Sequence, residues 1–95
     1  MAEYVSKGSA GRAIMLAAFV IAAIIVLHII FVLIGANAGN TIVSTDADWS
    51  GTLAAWFKDL FTPGNYKLAV FLNYGLAAIF YLIIGRVVAR LVSSL

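Results

Sequence analysis

The sequence predicts an all-α membrane protein: a two-helix transmembrane hairpin with an amphipathic interfacial helix in the connecting loop. Three observations carry this prediction. The chain has 95 residues, 64% hydrophobic and 11% charged, too little polar surface to cover so small a soluble domain. The apolar residues gather in two long blocks. Between the blocks, aromatic residues recur at helical spacing.

The N-terminal segment, 1–12, carries Lys7 and Arg12 and is expected on the cytoplasmic side. The first block, 13–34, is interrupted only by His28. At 1.5 Å per residue it reaches about 33 Å, enough for a hydrocarbon core of roughly 30 Å. Its Ile, Val and Phe residues form helices poorly in water, but in lipid each backbone N–H and C=O must find an internal partner. Gly35 or Gly39 suits the left-handed cap that would end it. A cleaved signal sequence is the competing reading, with Ala36-Asn37-Ala38 as the cleavage site. The block exceeds the about 7–15 apolar residues of such signals, so a retained span is expected.

The loop, 35–65, is expected on the extracytoplasmic side. Within it, Trp49, Leu53, Trp56, Phe57, Leu60 and Phe61 share one face of a helix over about 45–61. Asp48, Thr52, Ala55, Asp59 and Thr62 mark the opposite face. Thr45 and Asp48 have capping-box spacing, Thr62-Pro63-Gly64 stops the element, and Asn65 can cap the next helix. A helix this short cannot span, so Trp49, Trp56 and Phe57 are expected in the membrane interface. Burial of the same face against the hairpin or a neighbouring subunit satisfies the pattern equally well.

The second block runs over 66–92; past Lys67 at its loop end, Asn73 is the one strongly polar side chain before the basic end. Arg86 and Arg90 stand four apart on one face, their stems able to lie along apolar surface while the guanidinium groups reach the headgroups. Residues 93–95 form a short tail. Lys7, Arg12, Arg86 and Arg90 outnumber Lys58 and Lys67 on the loop side, which places both termini in the cytoplasm.

Ala18 and Ala22 make a small-xxx-small pair, and Tyr74 and Tyr81 share a face with Ala77, Ala78 and Gly85. Both stripes read as helix-packing seams. His28 is an ionisable residue inside a span and therefore a functional candidate. It can act as an axial cofactor ligand or, as the favoured expectation, as a neutral imidazole bonded between helices. A proton relay would need a titrating partner at its depth, and neither span contains Asp or Glu. Asn73 reads as helix–helix glue. His28 and Asn73 each lie six residues from the loop end of their span, about 9 Å deep, which predicts that they bond to each other.

The chain has no cysteine, which excludes disulfides, thiolate metal sites and cysteine nucleophiles. No phosphate loop, metalloprotease helix or nucleophile elbow is present. The acids Asp46, Asp48 and Asp59 read as helix-start and solvated-face residues. No enzyme activity and no cofactor are expected, and a net charge of +2 does not suggest a nucleic-acid surface.

The segments KGSAGRAIMLAAFVIAAIIVLHIIFVLIGANAGN and NYGLAAIFYLIIGRVVARL resemble small two-span hypothetical membrane proteins of actinobacteria. That resemblance implies a bacterial plasma-membrane location and carries over no functional residue. The function expected is a non-catalytic accessory subunit or assembly factor of a larger membrane complex, acting by helix packing. Its partners would be the lipid bilayer and other membrane subunits or copies of itself. The alternatives are a self-assembling holin-like or pore-forming homo-oligomer, and a cofactor-binding subunit using His28.

Overall fold

The computed structural model describes residues 7–94, with the side chain of Lys7 outside the description. Residues 1–6 of the N-terminal segment and Leu95 of the tail likewise lie outside the described residues. The described chain is all-helical: α1 (Lys7–Leu33), α2 (Thr41–Leu53) and α3 (Tyr66–Ser94). Gly8–Leu33 and Tyr66–Ser94 are both long and apolar enough to cross a membrane. Their outer faces carry exposed Leu16, Phe19, Val26 and Ile30 on α1, and Phe71, Ile79, Ile83 and Leu91 on α3. Apolar surface of this extent is unlike that of a water-soluble monomer and suits contact with lipid.

Helix α1 ends where Gly35 adopts φ +69°. The Gly35 N–H donates to the Val32 carbonyl at 3.1 Å and the Ala36 N–H to the Phe31 carbonyl at 2.8 Å, the two bonds of a Schellman cap. Helix α3 begins after Asn65, whose side chain accepts from the Leu68 N–H at 3.1 Å. Pro63 precedes that cap and has no N–H to offer to a continuing helix.

The two long helices pack side by side and antiparallel. Gly11 lies against Ala89 and Ser93, Ala18 against Gly85, and His28 against Tyr74. Ala18, Ala22, Ile25 and Ile29 are buried at alternating steps of four and three, the period that keeps one stripe facing a neighbouring helix. On α3, Val70, Asn73, Ala77, Ala78, Gly85 and Ala89 are buried. The backbones approach closely because the contact residues are small: a Cβ on Gly85 would overlap that of Ala18.

The connecting segment departs from the sequence expectation. The helix expected over 45–61 with Thr45 as its cap instead occupies Thr41–Leu53, and Asn40 caps it. The Asn40 side chain accepts from the N–H groups of Ile42 at 2.9 Å and Val43 at 3.3 Å. This cap is available one turn before Thr45, so the helix nucleates there and Thr45 falls in its interior. Past Leu53 the chain proceeds in turns, held by bonds from Phe57 N–H to the Ala54 carbonyl at 2.8 Å and from Leu60 N–H to the Phe57 carbonyl at 3.3 Å. Tertiary bonds claim the Leu53, Lys58 and Phe61 carbonyls, so the aromatic face does not continue as one helical stripe to Phe61.

Nor does α2 lie across the end of the pair. It folds back along it. Ser50 Oγ donates to the Ile24 carbonyl at 3.0 Å, and Ile24 lies nine residues before Leu33, about 13 Å along the axis. The Tyr81 hydroxyl donates to the Leu53 carbonyl at 2.5 Å, and Tyr81 lies 15 residues into α3, about 22 Å by helical rise. Tyrosine side chains on a helix lean toward its N-terminus, so the hydroxyl sits somewhat nearer the loop end. Helix α2 thus descends to about the middle of the pair, and 54–65 climbs back to Tyr66.

Candidate functional site

The fold-back determines where every internal polar group goes. Three bonds hold the returning chain to Asn73, which is 1% exposed. The Asn73 side-chain oxygen accepts from the Phe61 N–H at 2.7 Å, and its NH2 donates to the Lys58 carbonyl at 2.7 Å and the Phe61 carbonyl at 2.8 Å. One amide satisfies one donor and two acceptors of a segment that has no helix ladder to do so. Tyr81 does the same for Leu53 at the foot of α2.

This corrects the expected bond between His28 and Asn73. The two residues share a depth, but the amide is occupied by loop backbone. An unpaired main-chain group in an apolar interior is costly, and the returning chain supplies several of them. The His28 ring instead packs on Tyr74, with centroids 4.6 Å apart and planes at 44°.

On the side of α2 turned toward His28 lies Asp46, with no hydrogen bond or ion pair between the two. The Ser50–Ile24 bond fixes the register: one turn back on α2 from Ser50 is Asp46, and one turn on along antiparallel α1 from Ile24 is His28. His28 is 8% and Asp46 7% exposed, and each feels the other's charge. Burial pushes the Asp46 carboxyl above the ordinary carboxylate range, while His28 opposes the shift. Its Oδ2 is sealed from solvent and accepts no hydrogen bond. The reading of Asp46 as a helix-start residue facing water is therefore corrected. The fold-back turns its face of α2 toward α1.

A cavity of about 590 Å³ opens over this cluster, bordered by His28, Asp48, Thr52, Lys58, Tyr66 and Tyr74 among others. A second, of about 320 Å³, shares His28, Ala47 and Tyr66 and reaches Lys67. Among the described residues, no three His, Cys, Asp or Glu side chains gather as a metal-binding group.

The remaining candidates fall as follows. Ala18 and Ala22 are buried in the α1–α3 seam, and Tyr74 and Tyr81 are half-buried between α3 and the folded-back segment. Trp49 is 58% and Trp56 90% exposed. Phe57 is half-buried, its ring 5.1 Å from that of Phe80. Arg86 and Arg90 are exposed and border, with Arg12, a shallow depression where α1 begins and α3 ends. Sequence reasoning missed Asp46 and Ser50. Their spacing of four, a polar stripe on a short helix beside two spans that each hold a polar residue, was the available signal.

Compared with known proteins, the chain matches no family model, no curated protein and no solved structure.

Proposed function

We propose that this protein is a non-catalytic subunit of a larger assembly in the bacterial plasma membrane, acting by helix packing, with both termini cytoplasmic. The segment 54–65 carries the reading. It runs without regular helix alongside α3, about 10 Å along the axis from Tyr66 at the level of Asn73. Its outer side leaves Trp56, Lys58, Asp59 and Leu60 exposed. At membrane depth, irregular backbone is stable only where protein covers it or water lines it. The chain supplies cover on the inner side through Asn73, and a neighbouring subunit would supply it on the outer side. The clustering of Arg12, Arg86 and Arg90 at the opposite end supports the assigned orientation.

The test is a photoreactive phenylalanine analogue at Trp56, with Phe19 on the outer face of α1 as the comparison site. Ultraviolet irradiation of intact cells is expected to give a protein adduct from position 56 and chiefly lipid from position 19. An adduct of twice the chain mass assigns the neighbour to a second copy and favours the self-assembling form. Lipid adducts alone from position 56 would refute the packing role.

A further inference from the structure

We propose that the depression between the start of α1 and the end of α3 binds the phosphate of one anionic phospholipid. Three guanidinium-bearing residues border it, Arg12 from α1 and Arg86 and Arg90 from α3. The seam between the helices sets their register. A Cβ on Gly11 would lie 3.1 Å from the Ala89 carbonyl oxygen, so Arg12 and Arg90, the next residue on each helix, start from nearly the same level. Arg86 stands one turn from Arg90 on the same face of α3. Between them the floor is built from Gly8, Gly11 and Ala89, which carry little or no side chain. The hollow this leaves is about 220 Å³, several times the roughly 30 Å³ share of one water, with room for a phosphate and its glycerol. Met15 continues the lining toward the middle of the helix pair, an apolar surface for the first acyl carbons.

Depth selects a lipid over a soluble anion. Arg12 lies 21 residues before Leu33, and Arg86 lies 20 residues after Tyr66. At 1.5 Å per residue both stand about 30 Å from the loop end of the helix pair, the thickness of a hydrocarbon core. With the loop end at one boundary, the arginines meet the other at the level of the lipid phosphates. Charge selects an anionic lipid. The described acids, Asp46, Asp48 and Asp59, all belong to the 41–65 segment at the other end, so none neutralises these groups. The N-terminal segment adds one acid, Glu3, and one base, Lys7, which leaves the excess of positive charge unchanged. Guanidinium groups take phosphate in planar two-point pairs, and basic pockets between spans bind anionic headgroups. A choline headgroup would bring a further positive charge to the same place and is disfavoured.

The test places the purified chain in mixed micelles of phosphatidylglycerol and phosphatidylcholine and reads bound lipid by native mass spectrometry. One phosphatidylglycerol is expected to be retained in preference to phosphatidylcholine. A basic residue at the membrane surface strengthens anionic-lipid binding about fivefold. The preference should therefore fall about fivefold in Arg12→Gln and about 25-fold when Arg86→Gln and Arg90→Gln are combined. Combining Lys58→Gln with Lys67→Gln removes as much charge from the loop end and should leave the preference in place. Equal retention of the two lipids by the wild type overturns the proposal, and so do equal falls in the two double variants, which would mean charge attraction without a site. Glycerol phosphate in excess should fail to displace the retained lipid, and displacement would overturn the lipid assignment in favour of a soluble phosphate. All three arginines are exposed, so the variants should keep the wild-type helical signal in circular dichroism. Should the arginine double variant lose it, Arg12→Gln decides, and an unchanged preference there refutes the site. The site is complete within one chain, so its failure would leave the assembly proposed above standing.

Discussion

Replacing Asn73 with Leu removes the amide that holds the returning chain. Both side chains branch at Cγ, so the substitution deletes the hydrogen bonds while keeping the branched shape, with bulkier methyl groups in place of the amide oxygen and nitrogen. Three bonds are lost, to Phe61 N–H and to the carbonyls of Lys58 and Phe61. Side-chain hydrogen bonds in membrane proteins contribute about 0.6 kcal/mol on average and up to about 1.7. Three of them on one buried residue therefore contribute roughly 2–5 kcal/mol. One factor of ten in an opening equilibrium corresponds to about 1.4 kcal/mol, so the open fraction of the segment should rise at least about 20-fold. Hydrogen exchange in nanodiscs reads this at the Phe61 amide, whose protection should fall by that factor or more. The interior amides of α1 and α3 should keep theirs, because the Ala18–Gly85 seam lies well away from the substitution. Unchanged protection at Phe61 would refute the account of Asn73 as the clasp of 54–65.

Tyr81→Phe keeps the ring and removes only the hydroxyl on the Leu53 carbonyl, and should lower the thermal midpoint in detergent by an amount equivalent to about 0.6–1.7 kcal/mol. Gly85→Ala places a methyl against Ala18, whereas Gly75→Ala meets nothing within 4 Å. The first should destabilise the helix pair by about 1–3 kcal/mol, and the second should be neutral or stabilising by up to about 1 kcal/mol, as measured by unfolding in the same detergent. Burial raises the Asp46 pKa in the folded protein, so the folded state binds the proton more tightly than the unfolded state. Stability should then fall as pH rises from the ordinary carboxylate value through the raised one. Asp46→Asn should flatten that slope in a series of thermal melts across pH, and an unaltered slope would count against the burial. Single cysteines at Thr62 and Ser94, both exposed, should differ in labelling by an impermeant maleimide on intact cells. Label at Thr62 alone fits cytoplasmic termini, and label at Ser94 alone would invert the orientation.

Composition and one-dimensional period determined a good deal of this protein. Two apolar blocks long enough to span, and a helix start at Asn65 after Pro63-Gly64, are local properties: they depend on residues a few positions apart. The left-handed stop at Gly35 is local in the same sense, since only the backbone conformation at that residue is at issue. The path of 41–65 is not local. A pattern of aromatic residues states which side of a helix is apolar, but not which surface covers it or how far the helix continues. Those were decided by bonds between residues 12 to 28 positions apart, Phe61 to Asn73, Ser50 to Ile24 and Tyr81 to Leu53. His28 and Asn73 looked like partners because depth was the one coordinate the sequence provides. The folded chain gave Asn73 to the returning backbone, whose unpaired N–H and C=O groups had the greater need, and packed the His28 ring on Tyr74 instead.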